Sequence, residues 1–66
     1  MTPDFHLNPQ GGIFILTPRN EPAKAWLREH IPDDAQWFAR GVVIEHRYVD
    51  GVIAGVKEDG LAVEIV

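Results

Sequence analysis

The feature that most constrains this chain is the absence of cysteine from a sequence of only 66 residues. A domain of this size buries only about 60% of its unfolded surface, so its core offsets the entropy of folding by a narrow margin. Disulfide bonds and cysteine-bound metals, which stabilise many small domains, are excluded. We therefore expect either a core built on large aromatic residues or a homodimer. The expected core aromatics are Phe14, Trp26, Trp37, Phe38 and Tyr48.

The composition indicates a single folded domain over residues 1–66. Hydrophobic residues make up 45% of the chain, too many for a disordered one. The longest apolar run, Ile13 to Leu16, is far shorter than the roughly 20 residues that a membrane span needs. The first residues lack a basic segment followed by an apolar one, so no secretory signal is expected and a cytoplasmic location is predicted. Residues 1–11 are rich in Pro and Gly and are expected to form a loose lead-in with a turn at 8–11, or a short edge strand.

A central strand and a helix are predicted in the first half of the chain. Residues 12–17 form a short run rich in Ile between Gly-Gly and Thr-Pro, which is typical of a strand buried on both faces. Asn20, followed by Pro22, predicts the start of a helix. The next apolar residues recur at helical spacing and Pro32 ends the pattern, so we expect this helix over 20–31.

The second half begins with another strand. Residues 37–45 contain a β-branched run and predict one continuous strand, in which Gly41 marks a bulge or a close approach of the backbone. Residues 61–66 predict a final strand.

Residues 46–60 allow two interpretations. Read as a helix, they place five apolar side chains in one stripe, with Gly60 as a left-handed cap after the last turn. Read as strands, the Asp50–Gly51 pair is typical of a hairpin turn, and the chain would end in a β-meander. The complete stripe favours the helix.

These elements predict an α+β fold of the two-layer type. In the order β-α-β-α-β, two helices would cover one face of a three-stranded sheet, with a strand and helix followed by a meander as the alternative. The other sheet face would stay uncovered, which makes it a natural surface for a partner. The spacing of Gly51 and Gly55 also allows the second helix to approach another backbone closely, in a homodimer.

The densest polar cluster is Glu45-His46-Arg47, at the junction of the second strand and the second helix. A Glu–His pair can do acid–base work, and strand ends often carry ligand sites. Neighbouring strand residues point to opposite faces, however, so a polar junction without catalytic function is favoured. No catalytic residue, metal site or cofactor is predicted. A small ligand-binding protein or minimal enzyme that uses this junction at a subunit interface remains the alternative.

The predicted function is a small non-enzymatic protein-interaction module or modulator. Its binding residues would be Trp37 and Arg40, together with the junction residues Glu45, His46 and Arg47, or it would use the uncovered sheet face. A weaker alternative is nucleic-acid contact through three basic residues around the first helix: Arg19, Lys24 and Arg28. The net charge of −4 makes nucleic acid an unlikely partner.

Most of the chain, from Pro18 through Val63, resembles a group of short uncharacterised bacterial and prophage-encoded proteins. The segments that carry this resemblance are Leu16-Thr17-Pro18, Ala25-Trp26-Leu27, Pro32-Asp33-Asp34-Ala35-Gln36-Trp37-Phe38, Val43-Ile44-Glu45-His46-Arg47-Tyr48 and Asp59-Gly60-Leu61. The resemblance implies a soluble bacterial or phage product with a helix after the Glu-His-Arg-Tyr segment. It implies no activity.

Overall fold

The computed structural model describes residues 2–32, 34–38 and 40–66. Its elements are β1 (Phe5–Gln10), β2 (Ile13–Pro18), α1 (Glu21–His30), β3 (Trp37–Phe38), β4 (Gly41–Glu45), α2 (His46–Glu58) and β5 (Val63–Ile65). The strands form one sheet in the order β3-β4-β2-β1-β5, where β5 runs parallel to β1 and all other neighbours are antiparallel. The α+β class with two helices is confirmed. The predicted three-stranded sheet and the order β-α-β-α-β are wrong.

The first correction concerns β1, in the segment where the sequence predicts a loose lead-in or an edge strand. It lies between β2 and β5, and its Phe5 and Leu7 are fully buried. The expected turn at 8–11 falls later, at a two-glycine turn in which Gly11 has a φ of 65°. Pro9, which has no N–H to donate, is tolerated because the β5 edge of β1 is paired only at residues 5–7. The nitrogen of Pro9 therefore lies beyond the last hydrogen bond between β1 and β5.

The second correction concerns residues 37–45, which form a hairpin of two strands. Trp37 pairs with Val42, and Phe38 pairs with Gly41. Ala39, within the predicted strand, lies outside the described residues. Gly41 lies close to the backbone of β2, since a Cβ there would lie 3.2 Å from the carbonyl oxygen of Leu16. The tighter neighbours are side chains: the same Cβ would overlap the Cγ2 of Ile15 and lie 2.8 Å from the Oγ1 of Thr17.

The beginning of α1 is fixed by a chain of hydrogen bonds that also holds the sheet. The Oδ1 of Asn20 accepts from the backbone N–H of Ala23 at 2.9 Å, which confirms the predicted N-cap. The Nδ2 of Asn20 donates to the Oδ1 of Asp4 at 2.7 Å. The other carboxylate oxygen of Asp4 accepts from the backbone N–H of Ala62 at 2.8 Å. One acidic side chain therefore joins the helix start to the segment that leads into β5.

Residues 46–58 form a helix, so the hairpin at Asp50–Gly51 is wrong. Gly60 has a φ of 81°, its N–H donates to the carbonyl of Lys57, and the N–H of Leu61 donates to the carbonyl of Val56. This pair of bonds is a Schellman C-cap, as the position of Gly60 predicts. The helix prevails because its stripe buries Val49 and Val56, and its C-cap places Leu61 against the core.

The core lies on one face of the sheet, and both helices cover that face. Its fully or almost fully buried residues are Phe5, Leu7, Leu16, Ala23, Trp26, Leu27, Val42, Ile44, Val49 and Val56. Strand alternation sends residues such as His6, Ile15 and Val43 to the opposite face, which no described element covers.

Three of the five expected core aromatics are instead at the surface. Trp37, Phe38 and Tyr48 are 50%, 63% and 56% exposed, whereas Trp26 is buried and Phe14 half-buried. Phe5, which is not among the expected core aromatics, is fully buried. Its ring contacts that of Trp26 edge-to-face, with ring centroids 5.9 Å apart.

The two helix glycines have different surroundings. A Cβ at Gly55 would lie 3.4 Å from the Cζ2 of Trp26, so Gly55 lets the indole ring of α1 lie close to α2 within the same chain. Gly51 faces open space. The sequence predicts another backbone beside this pair, whereas the neighbour found at Gly55 is a side chain of the same chain.

Candidate functional site

A cleft lies between α1 and the β3–β4 hairpin. Leu27 and Pro18 form part of its apolar wall, and Trp37 stands opposite α1 on the two-residue edge strand β3. Trp37 pairs with Val42 and so points to the helix-covered side of the sheet, yet half of its surface remains exposed. The cleft has a volume of about 280 Å³, close to the lower limit of typical ligand pockets.

Basic residues surround this cleft. Lys24 and Arg28 are four residues apart on α1 and therefore share one side of the helix. Arg40 lies in the hairpin turn opposite them, and Arg19 precedes the N-cap of α1. A second cavity of about 590 Å³ adjoins the first and shares Pro18, Lys24 and Arg40 with it. We call the combined region the basic cleft: Pro18, Arg19, Lys24, Leu27, Arg28, Trp37 and Arg40.

The basic cleft concentrates four of the six Lys and Arg residues of a chain with net charge −4. The remainder carries only Arg47 and Lys57 against all ten acidic residues. Within residues 2–32, 34–38 and 40–66, one ion pair involves the cleft cations: Lys24 Nζ lies 3.7 Å from Glu21 Oε1. Both side chains of that pair are more than half exposed, so the pair contributes little. The positive charge of the cleft is thus largely uncompensated by these residues.

The predicted site residues are divided between two places. Trp37 and Arg40 line the basic cleft, where they meet the basic residues of α1 that the sequence offers for nucleic-acid contact. Glu45 lies at the other end of β4, three residues beyond the partner of Trp37 and hence about 10 Å along the strand. It lines a separate apolar groove of about 380 Å³ beside Tyr48.

At the Glu45-His46-Arg47 junction the side chains diverge. Glu45 Oε2 lies 3.3 Å from Arg47 Nε, and the guanidinium of Arg47 lies over the ring of Tyr48 at 5.0 Å. His46 instead packs against Phe14, with ring centroids 5.8 Å apart. No hydrogen bond joins Glu45 to His46 in the part of the chain that the structure describes. Glu45 is also the N-cap residue of α2 but gives that helix no side-chain hydrogen bond.

A second polar cluster links the two helices. The indole N–H of Trp26 donates to the Oδ2 of Asp59 at 2.7 Å. His30 stacks on the indole with ring centroids 4.2 Å apart, and its Nε2 lies 3.6 Å from the same oxygen. Its Nδ1 lies 2.9 Å from the carbonyl of Trp26 and donates to it in the tautomer that the geometry requires. These contacts hold the two helices together.

The sequence did not reveal the apolar wall of the basic cleft. It also did not reveal that Arg40 of the hairpin lies opposite Lys24 and Arg28 of α1. Pro18 and Leu27 carry no functional signal of their own. Arg40 reaches the side of α1 because the chain reverses after Phe38, and a continuous strand over 37–45 would have carried it away. A turn signal between Phe38 and Gly41 could have revealed the hairpin, but Ala-Arg is not a typical turn pair.

Two further observations concern the described residues. They contain no group of three or more His, Asp or Glu residues close enough to hold a metal ion. Neither of the two described helices has the length and apolar character required to cross a membrane.

Comparison with known proteins gave one result: no family model, no curated protein and no solved structure matches this chain.

Proposed function

We propose that this protein is a small non-enzymatic protein-interaction module that binds its partner through the end of the sheet that carries β3. The observation that supports this proposal most directly is the exposure of Trp37 and Phe38 on a two-residue edge strand. Aromatic residues are concentrated at protein interfaces because they bury a large area at a small entropic cost. A chain of this size has few large apolar side chains with which to build its core. Because Trp37 and Phe38 are nevertheless exposed, we infer that they serve binding and not folding.

The position of these aromatics also favours a protein partner. Trp37 and Phe38 are consecutive in a strand, so they project to opposite faces of the sheet. Phe38 lines a recess on the uncovered sheet face together with Ile15 and Thr17, and Trp37 lines the basic cleft on the other side. A partner that wraps around the β3 edge would contact both, whereas a small molecule would contact one.

An affinity-capture experiment tests the proposal. The wild-type chain and a W37S/F38S variant would be immobilised and exposed to a lysate of the source cell, and bound proteins identified by quantitative mass spectrometry. We expect at least one protein that the wild type enriches and the variant does not. The matched control is Y48S, which removes an aromatic side chain of similar exposure from the first turn of α2, beyond the end of β4. The Y48S variant should still capture the protein that the wild type captures. Equal capture by wild type and W37S/F38S, with both folded by circular dichroism, would overturn the proposal.

A further inference from the structure

We propose that the basic cleft takes a short acidic peptide segment that carries an apolar anchor residue. This inference rests on the proposed function, because it names the class of partner segment that the β3 end of the molecule binds. It depends on two properties of the cleft that the exposed aromatics alone do not give: its charge and its apolar wall.

Charge selects an anion. Arg19, Lys24 and Arg28 lie on or just before α1, and Arg40 faces them from the hairpin. Cations gathered around a recess bordered by protein atoms attract anions more strongly than the same cations spread over a flat surface, because the field is focused there. Arginine also binds carboxylates through two parallel N–H donors, and three of the four cations are arginines.

The apolar wall selects a peptide over a bare anion. Pro18, Leu27 and Trp37 line the smaller, 280 Å³ part of the basic cleft together with basic side chains, and most of the exposed surface in that part is apolar. A volume of about 280 Å³ accommodates one or two apolar side chains. An inorganic anion would leave that surface unused, whereas a leucine or phenylalanine flanked by aspartate or glutamate would cover it while its neighbours pair with the cationic rim.

The charge of the rest of the molecule argues for a short segment and against a long polyanion. Apart from the four cleft cations, the chain carries ten acidic residues and only two basic ones. A nucleic acid gains affinity by placing many phosphates along a continuous basic track, and here the track would run into negative potential on leaving the cleft. An acidic segment whose charge is confined to a few residues avoids that repulsion.

A peptide selection tests the inference even while the partner is unidentified. A random peptide library displayed on phage would be selected against the wild-type chain. The enriched peptides should be acidic and contain Leu, Ile, Phe or Trp. An enriched peptide would then be synthesised with a matched version in which Gln and Asn replace Glu and Asp. We expect the acidic peptide to bind at least about tenfold more tightly, with an affinity that falls as salt rises.

The binding site is located by two further measurements. In nitrogen-edited NMR spectra, the indole N–H signal of Trp37 should shift on binding, while that of Trp26, which is buried and bonded to Asp59, should stay in place. The K24E/R40E variant should weaken binding by about tenfold or more. The matched control is R47E/K57E, which reverses two charges on α2 outside the cleft, changes the net charge by the same amount and should bind as the wild type does.

Several outcomes would overturn the inference. Enrichment of neutral or basic peptides, equal binding of the acidic and neutral peptides, or equal loss in R47E/K57E and K24E/R40E would each do so. Tighter binding of a single-stranded oligothymidine than of the acidic peptide would assign the cleft to nucleic acid instead. Concentration-dependent self-association that K24E/R40E abolishes, seen by light scattering, would assign it to a second copy of this acidic chain.

The inference and the proposed function can fail separately. If the protein captured by the wild type is lost in W37S/F38S but retained in K24E/R40E and at high salt, the interaction module stands and the acidic segment is rejected. If W37S/F38S captures everything that the wild type does, the module itself is rejected.

Discussion

The indole N–H of Trp26 donates to the Oδ2 of Asp59 at 2.7 Å and so joins the middle of α1 to the C-cap of α2. Among the residues that the structure describes, no other side-chain hydrogen bond joins the two helical segments. Gly55 allows it, because the absence of a Cβ there leaves space for the indole ring. Trp26 is thus joined to Asp59, 33 residues later in the chain, through a space that Gly55 leaves open.

The first prediction concerns this bond. Replacing Trp26 with Phe should lower the free energy of unfolding by about 1–3 kcal/mol, since it removes a hydrogen bond to a charged acceptor and part of a buried ring. Urea unfolding followed by circular dichroism measures the change. W37F is the matched control, because Trp37 is half exposed and its indole makes no hydrogen bond with the described residues. A W26F variant as stable as W37F would contradict the structural role of the bond.

The second prediction concerns acid stability. The side chain of Asn20 and the backbone N–H of Ala62 both donate to Asp4, and they hold the pKa of its carboxyl group below its usual value. A carboxyl whose pKa is lower in the folded state stabilises the fold above its unfolded pKa of about 3.9, and this contribution disappears as the pH falls through the folded pKa. The wild type should therefore lose stability between about pH 5 and about pH 2 more steeply than D4A does.

Urea titrations at several pH values measure that slope. D50A is the matched control for D4A, since Asp50 is exposed on α2 and accepts no side-chain hydrogen bond from the described residues. It should keep the wild-type slope. A D4A slope equal to that of the wild type would mean that the bonds from Asn20 and Ala62 do not favour the ionised form.

The third prediction compares two glycines. G41A should destabilise the protein by about 1–3 kcal/mol, because the new Cβ would overlap Ile15 and crowd Thr17 on the uncovered face of the sheet. G51A should stabilise it by up to about 1 kcal/mol, because Gly51 is exposed in α2 with open space beside it and alanine is the better helix former. Thermal and urea unfolding of the two variants should shift in opposite directions. Equal shifts would contradict the different surroundings described for these glycines.

The fourth prediction separates the surface aromatics from the core. W37S and F38S should each change the free energy of unfolding by less than about 1 kcal/mol, whereas F5A should cost about 3–5 kcal/mol because Phe5 is fully buried. The same urea titrations measure all three variants. A loss in W37S or F38S comparable to that in F5A would show that these side chains stabilise the fold, and would weaken the argument that they serve an interface.

The sequence predicted the elements whose signals are local. α1 follows from Asn20 and Pro32, and α2 follows from its apolar stripe and from the cap at Gly60, although the Asp50–Gly51 pair argued against it. These signals act within a few residues, so they can be interpreted without reference to the tertiary structure.

What the sequence did not predict depends on distant partners. β1 carries a proline and is a strand only because β2 and β5 flank it on both sides, and the proline lies where β5 has ended. The β3–β4 hairpin lacks typical turn residues and is set by the contact of Gly41 with β2. The basic cleft depends on that hairpin, so its residues were predicted as two separate sets, Trp37 with Arg40 and the basic residues of α1.

The parallel pairing of β1 with β5 has a consequence for how the protein folds. Asp4 and Ala62 are 58 residues apart, yet they exchange backbone and side-chain hydrogen bonds. Contacts between residues so distant in sequence slow folding, because a long loop must close before the contacts can stabilise it. The hairpin of β1 and β2 can form early, but β1 receives its second neighbour only when residues 63–65 arrive. We therefore expect the synthesised chain to keep one edge of β1 open on the ribosome until its last strand has emerged.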